Sequence, residues 1–167
     1  MSRAPRQGRF PKAGGYPPEV AHYLFNFADG DAAKGSPARE RAAAFMRLGL
    51  WGIDADERHG SDLAPGDLVL VYLAAPELEF VGCAELASAL RDWTPSEAEL
   101  YPGDSRGGVL LAQVVEWNPP VPMSAVLSHI GPSQSAKAEF EAGVVRITAG
   151  EYEAALAAAA ERASSNR

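Results

Sequence analysis

LAPGDLVLVYLA, residues 63–74, reads as a tight turn at Pro65-Gly66 followed by a strand from Asp67 to Ala74, rich in β-branched and aromatic residues. Its partner is EFVGCAELASAL (79–90), reached by the short APEL connection, and the small residues of this second run suggest tight curvature. Upstream, VAHYLFNF (20–27) has the composition of a first strand and runs into the turn-forming ADGD. SPARERAAAFMRLG (36–49) reads as a helix. Ser36 suits its cap, Pro37 its first position and Gly49 its stop, with Ala42, Phe45, Met46 and Leu48 on the apolar face.

Downstream, LWGIDADERHGSD (50–62) reads as a loop and RDWTPSEAELYPGDSRGG (91–108) as a long polar excursion. VLLAQVVEW (109–117) is the next strand, ended by NPPVP because consecutive prolines cannot join a ladder. MSAVLSHIG (123–131) is a short helix, GPSQSAKAEFEAG (131–143) a loop or weak helix, and VVRIT (144–148) a last strand. The alanine-rich 149–163 is a terminal helix. Strands joined mostly by hairpins and loops, without strict βαβα alternation, give an α+β class with a curved mixed sheet or small barrel and flanking helices.

Length and composition agree with one core. The chain has 167 residues, 47% hydrophobic and 22% charged. Residues 1–18 are rich in proline and glycine, carry Arg3, Arg6, Arg9 and Lys12, and read as a flexible basic tail. The domain is expected over 19–163 and a disordered terminus over 164–167. No apolar run approaches the roughly 20 residues of a membrane span, and the N-terminus lacks the apolar stretch of a secretory signal. A cytoplasmic location is the expectation.

The net charge is −7 despite the basic tail. A protein that grips a long duplex through many phosphates is normally basic. Any nucleic-acid contact here is therefore expected to be small and dominated by a base.

The residues exclude several chemistries. A single cysteine, Cys83, allows no intrachain disulfide and reads as a core thiol. His22, His59 and His129 lack metal-ligand spacing, so no metal and no cofactor are expected. There is no nucleophile elbow, phosphate-binding loop or dinucleotide fingerprint. Asp54, Asp56 and Glu57, with Arg58 and His59, read as a solvated charged loop, against an acid/base pair as the sharper alternative. Gly103, Gly107 and Gly108 read as a turn before a strand.

Aromatic placement is the informative feature. Trp51 lies just past the helix end, with Gly52 and Ile53 following, and Trp93 lies in DWTP at a strand exit. Each is either a flat face for a stacked base or a lid over the core. Trp117 falls within a strand alternation and reads as structural. Asn26, ending the first strand, offers a donor and an acceptor to a base edge, or serves as a turn cap. Ser133, Ser135 and Lys137 offer hydroxyls and a charge, or form a plain polar loop.

Taken in order, HYLFNF, LGLWGI, LAPGDLVLVYL, FVGCAEL and VVRITAGEYEAAL resemble the EVE family, over about residues 20–158. That family is similar to YTH and ASCH domains within the PUA-like superfamily. The resemblance implies a PUA-like sheet with a pocket that takes up a single, often modified, base of DNA or RNA. Trp51 would stack on the base and Asn26 read its edge. Gly52, Ile53, Trp93, Ser133 and Ser135 would complete the base site, and Lys137 and Arg146 would contact phosphate. Two departures stand out: Asn26-Phe27 replaces the usual "K-S-E-P" run, and WGID replaces "W-x-G-V-R-N". The arrangement is nearer to forms associated with modification-dependent restriction, which implies restriction or RNA-processing partner proteins. The expected function is thus non-enzymatic nucleobase binding. The alternatives are a small-molecule, nucleotide-like binding protein or an ASCH-like amide hydrolase relying on Lys34, Lys137, Asp54 or Glu57. On the stacking reading, Trp51→Ala costs roughly 1–3 kcal/mol of ligand affinity with little loss of stability.

Overall fold

The computed structural model describes residues 19–27, 38–74, 77–130 and 143–165. The expected tail, the cap at Ser36 and Pro37, the ADGD turn and most of the 131–143 segment lie outside these residues. Seven strands are described: β1 (His22–Phe27), β2 (Leu50–Gly52), β3 (Leu68–Leu73), β4 (Glu79–Leu86), β5 (Arg91–Asp92), β6 (Gly107–Pro122) and β7 (Val144–Ile147). Four helices accompany them: α1 (Ala38–Leu48), α2 (Pro95–Leu100), α3 (Met123–Ile130) and α4 (Ala149–Ser165).

The strand order is β2-β6-β4-β3-β1-β7, with β5 pairing β6 off this path. β1 runs parallel to β3, Tyr23 beside Val69 and Phe25 beside Val71, and every other pair is antiparallel. A parallel neighbour needs a crossover, and the segment holding α1 and β2 supplies it. The mixed sheet curls into a half-barrel, an α+β architecture of the PUA-like kind.

Asp67 shows why the PGD turn matters. It is the buried charged residue among the described ones. Its carboxylate accepts from the Ala21 N–H at 3.1 Å and the Ala64 N–H at 3.0 Å. It therefore pins the start of β1 to the turn before β3, and Gly66 (φ +94°) makes that turn without Cβ strain. Gly49 (φ +76°) does the same at the end of α1, its N–H donating to the Phe45 carbonyl at 3.0 Å.

Each face of the sheet carries a core. On one, Ala42, Phe45 and Met46 of α1 pack on Tyr23, Phe25, Val69, Val71, Trp51 and Val109. On the other, Tyr152, Ala154, Ala155 and Ala158 of α4 cover Leu24, Leu70, Phe80 and Val145, with Val126 of α3. Alanine at these α4 positions lets the helix lie close to the strands. Among the described residues no helix is long and apolar enough to cross a membrane.

The structure differs from the sequence reading in three places. Residues 50–52 are a strand, because Trp51 pairs with Val109 nearly 60 positions away, a match no local pattern displays. The 91–108 excursion is ordered by β5 and by α2, capped by Thr94 and Glu97 in a reciprocal box. And β6 runs through its prolines to Pro122. Its register against β4 jumps from Glu116 beside Gly82 to Val121 beside Phe80, so Pro119 and Pro120 fall in an irregularity where no ladder donor is needed.

Candidate functional site

Six aromatic rings from four segments form one cluster on the α1 side of the sheet. Trp51 is central: its ring centre lies 6.0 Å from Phe25, near parallel, and 5.9 and 5.6 Å from Phe27 and Phe45, both edge-on. Phe45 stacks on Tyr101 at 5.1 Å, and Tyr101 touches Trp93 at 5.1 Å. Phe25 and Phe27 come from β1, Phe45 from α1, Trp51 from β2, and the last two from the 91–106 excursion.

That excursion is braced from within. The Trp93 indole N–H donates to the Ser105 carbonyl at 3.1 Å. Arg91 holds Glu97 with two parallel hydrogen bonds of 2.8 Å. The Tyr101 hydroxyl lies against Gly52 and Ser105, and burial pushes its pKa up. A side chain at Gly52 would collide with the Tyr101 phenol, so this position must be glycine for the clamp to close.

The rings are not equally open. Trp51 is only 5% exposed and Phe25 fully buried, whereas Phe27, Trp93 and Tyr101 are half-buried. The indole of Trp51 thus belongs to the core, because strand pairing turns it inward beneath α1. Its removal cannot leave stability untouched, contrary to the expectation from a loop position.

The structure separates residues that the sequence reading brought together. Successive strand residues point to opposite faces. In β1, Tyr23, Phe25 and Phe27 face α1, while His22 and Leu24 face α4, His22 lying 5.1 Å from the Tyr152 ring. Asn26 shares the second face, so its amide and the Trp51 ring lie on opposite sides of the sheet. Ile53 is buried beside Trp51, its N–H donating to the Gly107 carbonyl at 3.0 Å. Arg146 stands over Tyr23, its guanidinium carbon 5.5 Å from the ring centre, at the opposite end of β1 from Phe27. Ser133, Ser135 and Lys137 lie outside the described residues.

The charged loop after β2 packs as structure. Glu57 accepts from the Val144 N–H at 3.3 Å, tying the loop to β7. His59 Nδ1 lies 3.6 Å from Asp62, and the Tyr23 hydroxyl reaches the Asp62 carbonyl at 3.4 Å. Asp54 and Asp56 are exposed. Among the described residues no three His, Cys, Asp or Glu side chains are placed to hold a metal ion. Cys83 is half-buried, and burial pushes its thiol pKa up, away from reactivity. A separate cleft of about 230 Å³ lies between α1 and strands β4 and β6, above Ala43, Met46 and Val81. Arg47 bridges to Glu116 at its edge with two 2.8 Å bonds, and Arg39 pairs with Glu79 nearby.

Sequence reasoning missed Phe25, Phe27, Phe45 and Tyr101 as members of the cluster. Phe45 read as ordinary helix core, and Tyr101 sat in what looked like a polar loop. The Thr94–Glu97 capping signature was the available clue that the excursion is ordered.

No protein-family model matches the sequence, and no curated protein sequence matches it. Solved structures do. A hypothetical protein from Leishmania major overlays with a TM-score of 0.59 at 16% identity, covering 86% of this chain and 97% of that one. Rpa0253 from Rhodopseudomonas palustris overlays at 0.54 with 18% identity, covering 85% and 94%. Human THYN1, in complex with DNA containing 5-methylcytosine, gives a looser overlay of 0.49 at 13% identity, covering 80% and 94%. At these identities the likeness is one of fold. Strand order, curled sheet and the two overlays above 0.5 together give an α+β domain of PUA-like fold.

Proposed function

We propose that this chain is a non-enzymatic nucleobase-binding module that takes a single, modified base of DNA or RNA against the aromatic cluster around Trp51. The observation that carries this reading is the cluster itself: six rings, three of them half-buried, gathered from β1, α1, β2 and a braced excursion. A core alone does not need half-exposed aromatics at its margin, whereas a stacked base does, at roughly 1–3 kcal/mol per base. Trp51 then acts as the rigid back wall, with Phe27 and Tyr101 as the rings a ligand reaches. Asn26, on the other face, is not part of this pocket. The modified base comes from the motif resemblance, and the restriction to one base from the acidic body, which disfavours long phosphate tracts.

The experiment is a tryptophan-fluorescence titration. Short oligonucleotides carrying plain, methylated and hydroxymethylated bases, and the corresponding nucleosides, are added to the wild type and to Phe27→Ala. The reading requires saturable quenching by a modified base, lost in Phe27→Ala while the circular-dichroism melt stays cooperative. No saturable response to any of them overturns it.

A further inference from the structure

The inner rings of the cluster offer a base no open face. Trp51, Phe45 and Phe25 are 5%, 5% and 0% exposed. Tyr101 is what covers Phe45, their ring centres 5.1 Å apart and their planes within 26° of parallel. The phenol thus lies as a stacked nucleobase would, with its flat face on a ring. Trp93 stands beside it at 5.1 Å, and its polar end is turned to Gly52 and the Ser105 hydroxyl. A Cβ at Gly52 would strike the phenol hydroxyl, and one at Gly103 would lie 2.7 Å from the ring. Both positions are bare, and the ring fills the room that side chains would take.

Tyr101 is also the ring best placed to move. Trp51 and Phe25 lie in strands and Phe45 on α1, all within the core. Tyr101 instead ends α2, a six-residue helix with no buried residue, and its own backbone is already extended there. Pro102 and Gly103 follow it. The bonds that brace the excursion run from Arg91 to Glu97 and from Trp93 to the Ser105 carbonyl, without the phenol. The ring can therefore swing outward while β5 and α2 keep their places. We infer that the Tyr101 phenol is a displaceable occupant of the base slot: the base enters by displacing it, stacks on Phe45 and turns its polar edge to Ser105. This rests on the base-binding reading and adds a built-in competitor to it. Apparent affinity is then lowered by the fraction of molecules whose phenol is still in place. A ligand gains entry only if a flat ring and a hydrogen-bonding edge replace what the phenol gives up, which makes Ser105 a specificity residue.

The test titrates 5-methyldeoxycytidine and N6-methyldeoxyadenosine, by tryptophan fluorescence, into the wild type, Tyr101→Ala and Gly103→Ala. The first variant removes the phenol, and the second drives it out with a methyl group. Each should bind the responding nucleoside about tenfold or more tightly than the wild type, equivalent to about 1.4 kcal/mol. A merely structural role for the phenol would loosen binding instead. Tyr101→Phe keeps the ring and should stay within about threefold of the wild type, the loss of one hydroxyl contact being small beside the loss of the ring. If Tyr101→Ala loses its cooperative melt, Gly103→Ala carries the comparison. Peptide mapping after tetranitromethane treatment follows the ring directly: saturating nucleoside should raise nitration of Tyr101 in the wild type. The inference is overturned if neither folded variant binds more tightly than the wild type, or if nucleoside protects Tyr101 from nitration, since the phenol would then be a fixed wall. Either result with a wild type that binds sinks this inference alone. Binding by the variants and not by the wild type supports it, the phenol then closing the slot fully. Failure of the wild type and both variants to bind any nucleoside sinks the base-binding reading and this with it.

Discussion

Replacing Trp51 by alanine should unfold much of the stability margin of this domain. The indole is 5% exposed and meets Phe25, Phe27 and Phe45 at 5.6–6.0 Å. Burying roughly 200 Å² at about 25 cal/mol per Å² gives about 5 kcal/mol. The alanine methyl keeps some of this, and the ring pairs add about 0.5–1.5 kcal/mol each. A loss of about 3–5 kcal/mol is expected, in line with large aromatic truncations in cores, against a typical total of about 5–15 kcal/mol. Urea unfolding followed by far-ultraviolet circular dichroism is the assay, because the substitution itself alters fluorescence. Trp51→Phe keeps part of the stack and should lose less. Trp93→Ala, at a half-buried ring, should cost about 1–2 kcal/mol. If Trp51→Ala stays within about 1 kcal/mol of wild type with an unchanged urea slope, the indole is not core and the account of the cluster is wrong.

Asp67→Ala strands two backbone donors, those of Ala21 and Ala64, and should cost about 2–4 kcal/mol in the same assay. Asp67→Asn, which keeps one acceptor, should cost less. The Arg91 guanidinium, with the Thr94 backbone N–H, holds the Glu97 carboxyl down to about 2. A depressed folded pKa means that the pair stabilises fully above the ordinary carboxyl value near 4.5 and loses its effect as pH falls toward 2. Arg91→Gln should move the Glu97 midpoint up toward 4.5, read by carboxyl NMR titration, and an unmoved midpoint contradicts the pairing. Cys83 should react with a thiol reagent at pH 8 several-fold more slowly in the folded protein than in urea. Equal rates would show that the thiol is open.

Much of the architecture was legible from local pattern. β1, α1, β3, β4 and α4 announce themselves through β-branched runs, a helical apolar face, Gly49 and the alanine stretch, and the structure moves their ends by only a few residues. The PGD turn was legible as a turn but not as a staple, since the Ala21 N–H it captures is 46 positions away. What failed was everything set by pairing across distance. Trp51 looked like a loop residue because three residues of β2 carry no periodicity of their own, and only Val109 makes them a strand. Asn26 and Trp51 each looked fit for a base, but nothing in either segment shows that one lies above the sheet and the other below it. Tyr101 was hidden in a stretch whose polarity concealed a helix held by its own cap.

The place of β1 also bears on how the molecule comes into being. Its one flank pairs with β3, and among the described residues the other is covered by β7, His22 beside Ile147 and Phe25 beside Val144. During synthesis this flank stays bare until more than a hundred further residues have been made. Contacts of such separation slow folding, and a bare hydrophobic strand edge invites pairing with other chains. A ribosome-bound intermediate ending after β6 is therefore the species most prone to aggregate, and β7, only four residues long, acts as the closure that ends this exposure.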